Sequence, residues 1–264
     1  MLKEFFDKPK VFLVVILVVF LGVLNYTLET LKWLSLVPFK VEKRIVFVKA
    51  LLSGCTVSVF LPYRTGEYLG RIIHFKKRHW AEIIVSSIRA GLLQLTVTLL
   101  MGGLAAMIVL AQLKNYFSFN TFTIFLVLVL LLLMVIVFIV KIETIVNWGM
   151  AKLKLHLYPN IRIKSFVRPF ILAGLRYLVF TTQYVILLHF FGVMDLAQGI
   201  FWVPVFLLIQ TLIPTMFLSE LGLRVVLSAY LFGATEAVVP VFLIYIINII
   251  LPALAGVFFI KKWS

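Results

Sequence analysis

The sequence predicts an all-α integral membrane protein, a polytopic helical bundle of about 6–8 membrane segments with two broken or re-entrant elements. Three observations predict it. Of 264 residues, 63% are hydrophobic and 13% charged, against about 45–50% and roughly 25% in soluble domains. Apolar runs of membrane-crossing length recur along the whole chain. Two short Pro/Gly/Glu/Arg stretches interrupt those runs, one in each half. Water does not solvate so apolar a chain unless the excess surface faces lipid. Residues 1–264 read as a single transmembrane domain.

A helix rises about 1.5 Å per residue, so about 20 apolar residues cross about 30 Å of hydrocarbon. Val11–Tyr26 is uncharged and lies between Lys10 and Glu29. It is read as a span rather than a signal peptide, because Tyr26, Leu28 and Leu31 stand where small cleavage-site residues belong. Ile45–Leu61 is apolar apart from Lys49, and Ala81–Leu113 is long with Arg89 inside it. Thr121–Val140 carries no charge at all. Phe170–Val193 holds Arg176 and Gln183, and Ile200–Leu218 is broken by Pro204 and Pro214. Leu221–Ala234 is short, and Ala237–Ile260 contains Asn248 and Pro252.

The formal charge is +15. The positive-inside rule accounts for it without nucleic acid as a partner, since cytoplasmic loops collect Lys and Arg. Lys141–Arg168 holds six basic residues and one acid, and Arg64–Glu82 five and two. Both loops, and the C-terminus with Lys261 and Lys262, are expected in the cytoplasm. The turns near Lys114 and Asp195 are expected outside. The N-terminal side stays open: residues 1–10 and 29–49 are both Lys-rich, and a re-entrant or a fully spanning Ile45–Leu61 breaks the rule once either way. The basic loops serve orientation and adhesion to an anionic leaflet, or dock lipid head groups. Trp33, Trp80, Trp148 and Trp263 read as interfacial anchors.

The two interrupting stretches are FLPYRTGEYLGR, residues 60–71, and IPTMFLSELGLR, residues 213–224. Pro62, Gly66, Pro214 and Gly222 are candidate hinges, because Pro removes a backbone donor and Gly loosens the chain. Pro to Glu is five residues in one stretch and six in the other, and Pro to the last Arg nine and ten. The match points to a diverged internal repeat with halves of about 1–113 and 121–264. Paired interrupted helices of this kind form mid-membrane substrate sites in many transporters. The plain alternative is two interfacial turns.

Pro62, Arg64, Gly66, Glu67 and Arg71 resemble the P-x-R-x-G-E-x-x-x-R pattern of the lysylphosphatidylglycerol synthase transmembrane (flippase-like) family. Lys32-Trp33 resembles that family's early basic-Trp pair. Pro214, Gly222, Arg224, Pro252 and Gly256 follow the order of its C-terminal half. Ile88, Ser219-Glu220 and Val225 depart from its usual residues. The resemblance covers nearly the whole chain. It implies the lipid-translocating half of a synthase, without the soluble aminoacyl-transferase domain, in the plasma (inner) membrane.

Charges inside a bilayer cost at least about 2.5–3.5 kcal/mol each and persist where they are used. Arg89 and Arg176 lie some seven or eight residues into their segments, where each either snorkels to the interface or faces the interior. Arg64, Glu67, Arg71, Arg89, Glu220 and Arg224 are the candidate substrate-binding residues. They read either as structural Glu–Arg pairs or as guanidinium groups that grip a phosphate bidentately with Glu as counter-ion. Gln94, Gln183, Gln210 and Asn248 read as interhelical hydrogen-bond glue.

Catalysis finds little support. Cys55 is the single cysteine; His74, His79, His156 and His189 lack metal spacing; Ser53 and Ser219 have no neighbouring His in sequence. No cofactor, no metal and no enzyme activity are expected. The first reading is a lipid flippase that moves an anionic phospholipid or polyprenyl-phosphate-linked lipid between leaflets, with membrane lipids as partners. The alternative is a non-transporting anchor or regulator of a separate lipid- or envelope-modifying enzyme. A homo-oligomer fits either.

Overall fold

A computed structural model describes residues 11–39, 43–61, 65–113, 121–152, 166–213 and 217–260. Among them all regular structure is helical: α1 Val11–Leu36, α2 Ile45–Phe60, α3 Gly66–Ile72, α4 Trp80–Leu113, α5 Thr121–Lys152, α6 Val167–Phe190, α7 Leu196–Leu212, α8 Phe217–Phe232, α9 Val238–Tyr245 and α10 Leu251–Val257. A five-residue π turn, Ile246–Ile250, joins α9 to α10 without a break. Within the described residues four stretches are long and apolar enough to cross a membrane: Val11–Leu36, Lys77–Gln112, Val167–Phe190 and Thr235–Val257. Shorter apolar stretches are Ile45–Phe60, Leu126–Ile142 and Leu196–Leu212.

Charged and polar side chains are buried within an otherwise apolar core, and many large apolar side chains are exposed. Lys32 and Gln183 are fully buried, whereas Phe12 is 72% and Tyr230 84% exposed. A water-soluble fold shows the reverse. The arrangement is compatible with a multi-pass membrane protein.

Helix α1 explains part of this inversion. Its buried residues Val18, Gly22, Asn25, Glu29, Lys32 and Leu36 recur every three or four positions, which places them on one face. That stripe packs chiefly on α6. Gln183 Nε2 donates to Val18 O at 2.9 Å across the same seam, the glue role expected of it. The helix therefore does not end at Tyr26, as the hydropathy pattern predicts. Glu29 and Lys32 continue it because their side chains turn inward. Trp33 is likewise buried rather than an interfacial anchor, edge-on to Phe47 at 5.0 Å.

Both interrupted stretches do break the helix. Leu61 leaves α2 in extended conformation (φ −117°, ψ 140°), and Ile213 leaves α7 likewise (φ −98°, ψ 109°). Each is followed by a proline, whose ring disfavours the α region for the preceding residue. Pro62, Arg64 and Pro214 themselves lie outside the described residues. Gly66 opens α3 and sits against the backbone of Val57 and Ser58, while Gly70 sits against Ser53 and Gly54. These contacts run in opposite chain order, so α2 and α3 form a tight antiparallel hairpin. Gly222 is not at a break: α8 runs through it, and it is exposed with open space beside it.

Two further expectations are revised, and the last segment carries an irregularity of its own. Pro204 does not interrupt its segment, because α7 continues through it. Lys141–Lys152 continues α5 as helix rather than forming loop. In the last segment Pro252 lacks the N–H that would bond Asn248 O, and the π turn lies just before it.

Candidate functional site

A cavity of about 510 Å³ opens in the bundle, with walls from α1, α2, α3, α4, α6, α7, α8 and the π turn. It brings Glu67 and Arg71 of the first interrupted stretch together with Glu220 and Arg224 of the second. In each stretch the acid stands in the first turn of its helix and the arginine four residues on. Four residues make about one turn, so the two side chains share a face.

Around the first stretch the ion pairs centre on Glu29. Lys32 Nζ lies 2.6 Å and Arg176 Nη1 3.1 Å from Glu29 Oε2, and Arg71 Nη2 lies 3.7 Å from Oε1. Arg71 Nη2 also donates to Glu67 Oε2 at 3.3 Å. Its guanidinium lies 4.8 Å from the centre of the Trp33 ring, a cation–π contact. Arg176 Nε donates to Asn25 Oδ1 at 2.7 Å and Nη1 to Gln94 Oε1 at 3.2 Å. Lys32 Nζ donates to the same Gln94 oxygen at 3.3 Å. Asn25 Nδ2 in turn donates to Asn248 Oδ1 at 3.3 Å. Tyr26 donates to Asn248 O at 2.6 Å, the carbonyl that Pro252 leaves without its helical partner.

The second stretch holds a tighter pair. Arg224 Nη2 and Nε donate to Glu220 Oε1 at 2.6 and 3.2 Å, and Nη1 donates to Tyr184 at 2.7 Å. The Gln210 amide satisfies both its ends only with its oxygen turned to Arg224, where it accepts from Nη2 at 2.8 Å.

Among the described residues four cations and three carboxylates thus line one cavity, an excess of one positive charge. They differ in access. The side chains of Lys32, Arg71 and Arg224 are 1%, 5% and 7% exposed, whereas Arg176 is 29% exposed. Among the acids Glu67 is the most open, at 28%. The cavity therefore presents one accessible guanidinium and one accessible carboxylate over a buried, ion-paired layer that carries the extra positive charge. In low dielectric such a layer is costly to break.

The remaining candidates are placed differently. Arg89 is buried but outside the cavity wall. Ser87, Gly91, Gln94 and Thr98 face the cavity, and at about 100° per residue Arg89 points to the opposite side of α4. Arg176 faces inward and is ion-paired, so it does not snorkel. Gln94, Gln210 and Asn248 bridge helices and line the cavity as well. The sequence reading missed Glu29, Lys32 and Arg176 as cavity residues. The available signal was their spacing: Asn25, Glu29 and Lys32 share one face of α1. Ser53 does have a histidine neighbour, His74 Nε2 at 2.8 Å, but Ser53 is fully buried and lines no described cavity.

Comparison of the chain with known protein families, with curated proteins and with solved structures yields no match, so its own geometry carries the functional reading.

Proposed function

We propose that this chain is a lipid transporter of the plasma (inner) membrane, which takes an anionic head group into the central cavity and passes it between leaflets. The observation that carries the reading is the convergence of both interrupted helices on one charged cavity inside an apolar-surfaced bundle. Arg176 makes first contact with the head-group phosphate, as the most open cavity cation. Arg71 and Arg224 grip it once it displaces their carboxylates, and Glu67 and Glu220 remain as counter-ions. Irregular backbone at membrane depth survives where it is buried in protein or lines a wet cavity, which suits the breaks after Leu61 and Ile213. The α2–α3 hairpin is re-entrant in this reading, since α3 spans only seven residues, about 10 Å. It and the α7–α8 pair are the two moving gates of an inverted repeat. The motif resemblance supplies the substrate class, a phospholipid or polyprenyl-phosphate-linked lipid.

Reconstituted vesicles bearing fluorescent phosphatidylglycerol test the proposal. Arg176→Gln is expected to slow leaflet exchange by about tenfold or more, the equivalent of about 1.4 kcal/mol. Lys141→Gln, exposed on α5, leaves the rate unchanged. Equal rates for the native chain, Arg176→Gln and protein-free vesicles would end the reading. The second reading, a non-transporting anchor or regulator of a lipid-modifying enzyme, is favoured by the internal ion pairing of all four cavity cations. It predicts that Arg176→Gln lowers thermal stability with no exchange activity to lose.

A further inference from the structure

Lys32 is a titratable side chain that the transport reading leaves without a task. It is fully buried and belongs to the wall of the charged cavity. Beside it on α1, Glu29 Oε2 lies 2.6 Å from Nζ. From α6, Arg176 reaches that carboxylate at 3.1 Å. From α3, Arg71 reaches it at 3.7 Å, and Glu67 lies 3.3 Å from Arg71. From α4 the uncharged Gln94 accepts from the amine at 3.3 Å. Glu220 and Arg224 of α8 pair with each other. With every group in its ordinary ionised form, Lys32, Arg71 and Arg176 thus outnumber Glu29 and Glu67 by one among the described residues. A buried excess charge is costly in low dielectric. Guanidinium groups keep their protons, and protonating a carboxylate enlarges the excess. Tyr26, Cys55, Tyr68 and Tyr177 also line the wall, but a proton lost there offsets the excess only by creating another buried charge. Lys32 alone removes charge by shedding a proton. Arg71 and Arg176 then still pair with Glu29, and the neutral amine still has donors for Glu29 and Gln94.

We propose that Lys32 is the cavity's proton site and that the head-group anion crosses together with a proton. The inference rests on the transport reading above and adds its coupling ion. In the empty cavity Lys32 is a neutral amine, and the charges of the described layer balance. As a phosphodiester monoanion enters, Lys32 takes a proton from cavity water, and layer plus anion balance again. On the far side the anion leaves and the proton passes back to water there. Glu29 is the relay between amine and water: its Oε2 touches Nζ, and its side chain, 11% exposed, reaches the cavity. Each cycle moves an anion and a proton with no net charge. Neither the loaded nor the empty form then carries an unbalanced charge through the hydrocarbon core, where such a charge is expensive.

The test uses the full chain in sealed vesicles with fluorescent phosphatidylglycerol, under an imposed pH gradient and, separately, a potassium-diffusion potential. The lipid is expected to accumulate on the alkaline side, several-fold beyond protein-free vesicles under the same gradient, and to reverse with the gradient. The potential alone is expected to produce no accumulation. Lys32→Arg keeps the charge and Lys32→Met removes it, and neither has a proton to release. Both are expected to lose the bias, whereas Lys141→Gln keeps it. Thermal denaturation shows which Lys32 variant folds, and one folded variant suffices. A measurement on the native chain needs no variant: short-chain phosphatidylglycerol added in weakly buffered detergent is expected to draw a proton from solution for each lipid bound. Exchange without a bias from the gradient, a bias set by the potential, or binding without proton uptake overturns the coupling and leaves transport standing. A folded Lys32 variant that keeps the native bias overturns the assignment to Lys32. Absence of any exchange ends the transport reading itself, and the coupling with it.

Discussion

Glu29 is the acid around which the ion pairs of the first stretch gather. Lys32, Arg71 and Arg176 all lie within 4.0 Å of its carboxylate oxygens. Removing its charge leaves buried cations without compensation, which costs about 3–5 kcal/mol. Glu29→Gln is therefore expected to lower the unfolding temperature of the purified protein sharply, read by thermal denaturation in detergent. Glu29→Gln combined with Lys32→Met is expected to recover part of the loss, because the best-buried cation goes with its partner. Tyr184→Phe removes the acceptor of Arg224 Nη1 and is expected to cost about 1–3 kcal/mol in the same assay. At this scale the sequence was half legible. The Glu67/Arg71 and Glu220/Arg224 pairs show in the spacing, because four residues make one turn. Glu29 and Lys32 hide as the apparent end of an apolar run. A hydropathy profile treats every charge as a boundary, and only the packing partner α6 reveals which face is inside. Arg89 misleads for the converse reason: its depth is visible in sequence, its direction is not.

Helix breaks follow local rules more closely than side-chain directions do. Leu61 and Ile213 are extended where the next residue is proline, and the interruption is readable from that dipeptide alone. Pro204 obeys the same chemistry with another outcome, since α7 carries on past it. The close approach of Gly102 to Pro204 O and Leu208 packs α4 against this part of α7, and no sequence window shows a neighbour. Glycines divide in the same way. A methyl group at Gly70 would meet backbone at Ser53 and Gly54, so Gly70→Ala is expected to destabilise by about 1–3 kcal/mol through overpacking of the hairpin. Gly174 and Gly222 have open space around them. Alanine at either is expected to stabilise its helix by about 0.5–1 kcal/mol, with leaflet exchange unchanged. Thermal denaturation of the three variants, paired with the vesicle assay, checks both halves of that statement.

At the scale of the whole molecule, lipid-facing apolar surface and an ionic interior define one orientation problem that charge bias addresses. The cytoplasmic C-terminus expected from Lys261 and Lys262 is checked by fusing a fluorescent reporter that matures only in the cytoplasm. Fluorescence in intact cells is the expected result, and a dark, exported reporter would reverse the topology. The all-helical class and the long apolar helices were legible from composition and hydropathy, because apolar runs of about 20 residues are long enough to cross a membrane. The shared cavity was not, since convergence of distant segments depends on packing. Cys55 turns that cavity into something measurable. It lies in the wall beside Tyr26, at 3.7 Å from its hydroxyl, and the chain has no second thiol. The wild-type protein thus comes with a built-in chemical reporter: a membrane-impermeant maleimide applied to one side of sealed, oriented vesicles and then to the other will register, by which side reacts, the compartment to which the chamber is open at rest.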